Sequence, residues 1–117
     1  MRSTGTQTNR VYEEPDERDS CRILVDCLWP WGLTKVRAKV DVWLRDIAPS
    51  TELRKWFSHD PVKWDEFQRR YLEELQRKPE QVELLLHELK KGPVTLLYGA
   101  KDELHNEAVI LQQLLLR

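Results

Sequence analysis

Two short stretches hold the side chains best suited to reaction or binding. The second in chain order, "YGAKDELHN", puts Tyr98, Lys101, Asp102, His105 and Asn106 within nine residues. Lys101 could hold an anion. A helix starting at Asp102 offers free backbone N–H groups and the positive end of its dipole. His105, one turn in, is suited to proton exchange near neutral pH. The plainer alternative is that Asp102 only caps the helix, Lys101 is solvated and His105 lies on the surface. The earlier stretch, "VDCLWPWG", offers Asp26, Trp29, Trp31 and Gly32. Asp26 closes an apolar run and so needs a partner. It is an acid, a base or an anchor, or it caps a neighbouring loop. Trp29, followed by Pro30, either stacks on a planar ligand or covers the end of a sheet.

Several sharper chemistries are excluded. Cys27 does not head a phosphatase-type loop, because the position six residues on is Leu33 and not arginine. No CxxC or HExxH spacing suggests a metal. No G-x-S-x-G, GxGxxG or P-loop occurs. With only four glycines in the chain, a phosphate-cradling loop is not expected, and no cofactor is expected.

These stretches must be carried by elements. "RILVD" and "VTLLYG" are continuous apolar runs, which predict strands buried on both faces, as in a parallel sheet. "VDVWLRDI", residues 40–47, alternates, which predicts a third strand whose last turn could be helical. By that alternation Trp43 lies on the polar side. Residues 10–12 predict a short edge strand, and the polar residues 1–9 a disordered tail. Residues 34–40 could form a helical turn. Ser50 is a candidate N-cap for a short helix with Leu53, Trp56 and Phe57 inward. Asp60-Pro61 is a helix start, leading to Trp64, Phe67, Tyr71 and Leu75 at helical spacing. Pro79 opens a helix that Gly92 closes, and Asp102 predicts the cap of a last helix over 103–116. Strands separated by helices give an α/β fold: a three-layer single domain over 10–117 with a small, mostly parallel sheet flanked by helices. In such sheets ligands bind beyond the carboxyl ends of the strands, where both chemical stretches fall.

The bulk composition fits. The 117 residues are 40% hydrophobic and 33% charged, with net charge −1 and a pI near 6.3. A single domain is expected, with no basic field to hold nucleic acid. No apolar run approaches the roughly 20 residues of a membrane span. Cys21 and Cys27 lie about 20 Å apart along one strand, too far to bridge. Free thiols point to the cytoplasm.

"VDxLWPxGL", "WLRDIAPSTELRKWFSHDPVKW", "FQRRYLEEL" and "VTLLYGAKDELHNEAV" together resemble the YeaO-like proteins, domain-of-unknown-function family 488. The resemblance runs from about residue 10 to the C-terminus. It implies a small bacterial cytoplasmic protein without an established biochemical role. It also implies arginines where this chain has Cys27 and Trp31, a pair that would make a fork for carboxylate or phosphate. Arg54 and Lys101 are the cations that could compensate. The expected function is binding of a small anionic or planar ligand in a crevice at the strand ends. Asp26 and His105 are the candidates for proton transfer, and Trp29, Trp31, Arg54, Tyr98, Lys101, Asp102 and Asn106 the candidates for ligand contact. The alternative is a non-catalytic protein-interaction module using exposed Trp31 and Trp43. Either a monomer or a homodimer is compatible with the sequence.

Overall fold

The computed structural model describes residues 5–16, 19 and 21–116. Its centre is a four-stranded sheet in the order β1-β4-β2-β3, parallel throughout. The strands are β1 (Thr6–Arg10), β2 (Cys21–Leu24), β3 (Val42–Trp43) and β4 (Val94–Tyr98). Helices α1 (Lys35–Ala38), α2 (Thr51–Phe57), α3 (Trp64–Gln76), α4 (Pro79–Lys91) and α5 (Glu107–Leu115) connect and cover them. The two apolar runs become the central pair, β2 and β4, with Ile23 opposite Leu96 and Leu24 opposite Leu97. All four of these side chains are fully buried. That is why neither strand alternates: each face of the sheet has its own cover.

The two covers are unequal. Ile23, Val25, Val94, Leu96 and Tyr98 face a large core closed by α2 to α5. Leu24 and Leu97 face a small one with Val11, Ala38 and Val40, roofed by Trp29 and Trp43. The thin side depends on Arg22. Its buried guanidinium pairs with Asp19 and donates to the carbonyls of Ala38 and Lys39 at the end of α1. These carbonyls are ones a helix terminus cannot satisfy for itself.

Some expectations are corrected. The edge strand is Thr6–Arg10 rather than 10–12, so residues 6–9 belong to the sheet and not to a tail; the expectation for residues 1–4 lies outside the described residues. Its polar side chains hide it, because an edge strand is held by its backbone ladder, here to β4. The third strand keeps only Val42–Trp43, and Arg45–Ile47 turns into a 3-10 helix. The last helix begins at Glu107, capped by Asn106, whose Oδ1 accepts from Val109 N–H at 3.1 Å. Asp102 instead closes the preceding turn, accepting from the N–H groups of Leu104 and His105. Ser50, Pro61, Pro79 and Gly92 do stand at the helix boundaries. Both cysteines are free. Among the described residues no helix is long and apolar enough to cross a membrane.

Candidate functional site

Beyond the carboxyl ends of β2 and β4 lies a pocket of about 470 Å³. Asp26 and Cys27 follow β2, Gly99 and Ala100 follow β4, and His105, Asn106 and Glu107 lead into α5. Helix α2 and its flanks supply Arg54, Lys55, Phe57 and His59. Phe57 stacks on Phe67 of α3 with ring centroids 4.2 Å apart, giving the pocket a rigid aromatic back.

Its floor is a pair of carboxyl groups. Asp26 Oδ2 accepts from Gly99 N–H at 2.8 Å. Glycine at position 99 eases this approach, since a Cβ would stand 3.0 Å from that oxygen and push it back. Glu107, on the first turn of α5, hydrogen-bonds to Asp26. Burial, and then the charge of Asp26, pushes the Glu107 carboxyl well above its ordinary range. A carboxyl beside another carboxylate resists ionisation, so Glu107 gives up its proton less readily than a free glutamate. Tyr71 lies behind, its buried hydroxyl donating to Ile47 C=O at 2.7 Å. Burial, and then Glu107, drives that phenol upward.

The rim is basic. Arg54 Nη2 reaches Thr51 Oγ1 at 3.4 Å, while its Nε is buried without a hydrogen-bond partner. Ser58 and His59 both take left-handed backbone, φ 48° and 57°, to turn the chain out of α2. His105 Nδ1 lies 2.8 Å from Asp102 Oδ2, and its ring meets Trp64 edge-on at 5.1 Å. The Leu104 N–H, and then His105, holds the Asp102 carboxyl below its usual range. Among the described residues no group of three or more His, Cys, Asp or Glu side chains is placed to hold a metal ion.

Of the residues singled out from sequence, Asp26, Arg54, His105 and Asn106 line this pocket. Asn106 does so as the cap of α5. Asp102 contributes only by orienting His105, and Lys101 is exposed outside the pocket. Tyr98 is buried in the large core, so it has no access to a ligand there. The tryptophan wall is also corrected. Trp31 is 89% exposed and away from the pocket. Trp29 and Trp43 pack edge to face, 5.4 Å apart, over the thin side of the sheet. Their N–H groups are tied to Leu33 C=O and Asp26 C=O at 2.6 and 2.8 Å. Trp43 is therefore half-buried rather than free on a polar face. Sequence reasoning missed Glu107, whose position just after a cap is where any acid favours a helix dipole. Its meeting with Asp26 has no local signal.

A family profile described as "Inactive DUF488-N3 subclade" matches residues 6–117. The chain is 43% identical over 105 residues to Uncharacterized protein YeaO of Escherichia coli, covering 90% of this chain and 91% of that one. It is 40% identical over 119 residues to Uncharacterized protein Mb3100c of Mycobacterium bovis and to Uncharacterized protein Rv3073c of Mycobacterium tuberculosis. Those matches cover 98% of this chain and 97% of each relative. No solved structure matches.

Proposed function

The chain belongs to the YeaO-like DUF488 family, in its inactive N3 subclade, and from that premise we propose that its pocket binds a small ligand bearing an anionic group without turning it over. One observation carries the reading: Arg54 lines the pocket with its Nε buried and unpartnered. A buried donor left unsatisfied costs about 1–3 kcal/mol, which an incoming carboxylate or phosphate oxygen would recover. Lys55 and His59 stand on the same rim and add positive charge or hydrogen-bond donors. The word "inactive" in the family description favours binding over turnover, so proton transfer by Asp26 or His105 is not required. Two free thiols fit a cytoplasmic setting.

The test is a thermal-shift titration with inorganic phosphate, acetate and succinate on the parent and on Arg54→Ala. Stabilisation by at least one anion is expected, weakened about 10-fold or more in the variant, the size of a lost charge-assisted hydrogen bond. An unshifted melting temperature with every anion, or equal shifts in both proteins, would sink the reading.

A second reading, a contact surface for another protein, rests on the exposed ring of Trp31. Trp43 does not contribute to it, being hydrogen-bonded and packed on Trp29.

A further inference from the structure

The carboxyl pair is the part of the pocket that a simple anion leaves unused. Asp26 and Glu107 face each other from two different elements, the end of β2 and the start of α5. The groups around them are Cys27 beside Asp26, Tyr71 from α3, and His105 just before α5. Cys27 and Tyr71 carry no positive charge that could offset two carboxylates. The His105 ring is turned to Asp102 by the 2.8 Å contact of its Nδ1. Gly99 N–H satisfies one oxygen of Asp26, which orients the pair without neutralising it.

Arg54 borders the same pocket, yet among the described residues it pairs with neither carboxyl; its one side-chain partner is Thr51. Opposite charges that line one cavity and do not meet are held apart by the scaffold. The pocket thus has two unfilled poles, a guanidinium lacking an anion and a carboxyl pair lacking a cation. A singly charged ligand satisfies one and desolvates the other at a cost. A cavity of about 470 Å³ has room for a small organic molecule that spans both.

We propose that the ligand is a small zwitterion of the amino-acid type, its ammonium held between Asp26 and Glu107 and its carboxylate held by Arg54. This rests on the reading of the pocket as an anion-anchored ligand site. Burial and the neighbouring Asp26 hold the Glu107 proton above the ordinary carboxylate range in the free pocket. The entering ammonium brings its own charge, Glu107 ionises against it, and its proton leaves to solvent. Binding is therefore linked to release of up to one proton and strengthens as pH rises towards the raised Glu107 value.

The test pairs amino acids with their des-amino partners: β-alanine with propionate, γ-aminobutyrate with butyrate, δ-aminovalerate with valerate. Thermal shifts are read on the parent, Glu107→Gln, Asp26→Asn and Arg54→Ala. In the parent at least one amino acid should bind about 10-fold or more tightly than its des-amino partner. Calorimetry of that amino acid in two buffers of different ionisation enthalpy should show proton release. Glu107→Gln should erase the preference for the amine while keeping carboxylate binding. Asp26→Asn gives the same readout should the first variant fold poorly. Equal binding of each pair by the parent overturns the zwitterion and leaves the anion site standing. An amine preference that survives both carboxyl variants overturns it too. No shift with any of the six compounds overturns the zwitterion, while the anion site stands or falls separately by the phosphate and succinate titrations.

Discussion

Asp26 and Glu107 show how one residue's chemistry is set by another's position. Each alone is unremarkable, an acid closing a strand and an acid opening a helix. Together they make Glu107 hold its proton longer, because burial and a neighbouring negative charge act on it in the same direction. The consequence for stability has a definite sign. Below the unfolded value near 4.5 Glu107 is protonated in both states and its burial carries no charge penalty. As pH rises past it, the unfolded chain loses the Glu107 proton while the native state retains it, so stability falls towards the raised native value. The slope contributed approaches about 1.4 kcal/mol per pH unit where the difference is one full proton. Glu107→Gln should remove that slope. Chemical denaturation from about pH 5 to 8 should show the variant gaining on the parent as pH rises; parallel profiles would show that the carboxyl is not held protonated.

At the scale of elements, the pocket depends on the short segment between β3 and α2. That segment carries Ala48 and Pro49 into the pocket lining but has few backbone partners of its own. Helix α3 and the turn that follows it hold it at three points, the third from Lys78 at the start of α4. Tyr71 donates to Ile47 C=O, Glu74 accepts from both N–H and hydroxyl of Ser50, and Lys78 donates to the carbonyls of Asp46 and Ala48. Lys78 pays for this with partial burial, which lowers its pKa despite Glu74 and Asp46. Tyr71→Phe keeps the ring in the core and strands one buried carbonyl. A loss of about 1–3 kcal/mol is expected in urea unfolding, with the midpoint moved and the slope kept. A midpoint unchanged within error would show that the carbonyl finds another partner. The spacing of Phe67, Tyr71 and Leu75 made α3 legible as a helix with an apolar stripe, but the polar tip of Tyr71 and the two residues that finish the clamp read as ordinary surface chemistry.

At the scale of the whole molecule, the sheet separates a heavily covered face from a thin one. The pocket sits at the strand ends beside the thick layer, while the tryptophans singled out at the end of β2 belong to the thin side. Trp31 is left outside both, with its backbone carbonyl held by the Tyr12 hydroxyl at 3.1 Å and its ring in solvent. Truncating such a ring should leave the melting temperature nearly unchanged. If Trp31 is a contact surface for a second copy, light scattering across a concentration series should show a dimer in the parent and a monomer in Trp31→Ala. A monomer in both removes self-association from consideration.

The chain's linear pattern determined the α/β class, the two buried strands, most helix boundaries and the end of the sheet where chemistry gathers. Those follow from local periodicity, capping and continuous apolar runs, each readable within a dozen or so residues. Asp26 and His105 were legible as candidates because a charged or titratable side chain beside a strand end or helix cap stands out on its own, whereas Arg54 came in only as a cation that could compensate for the arginines the resemblance implies. Tertiary structure alone decided that Asp26 meets Glu107, that Arg54 meets neither, that Tyr98 points into the core and that Trp29 and Trp43 cover the opposite face. These are relations between segments up to 81 residues apart. Strand order and sheet side decide them, and no local spacing encodes which of two faces a loop will fold across.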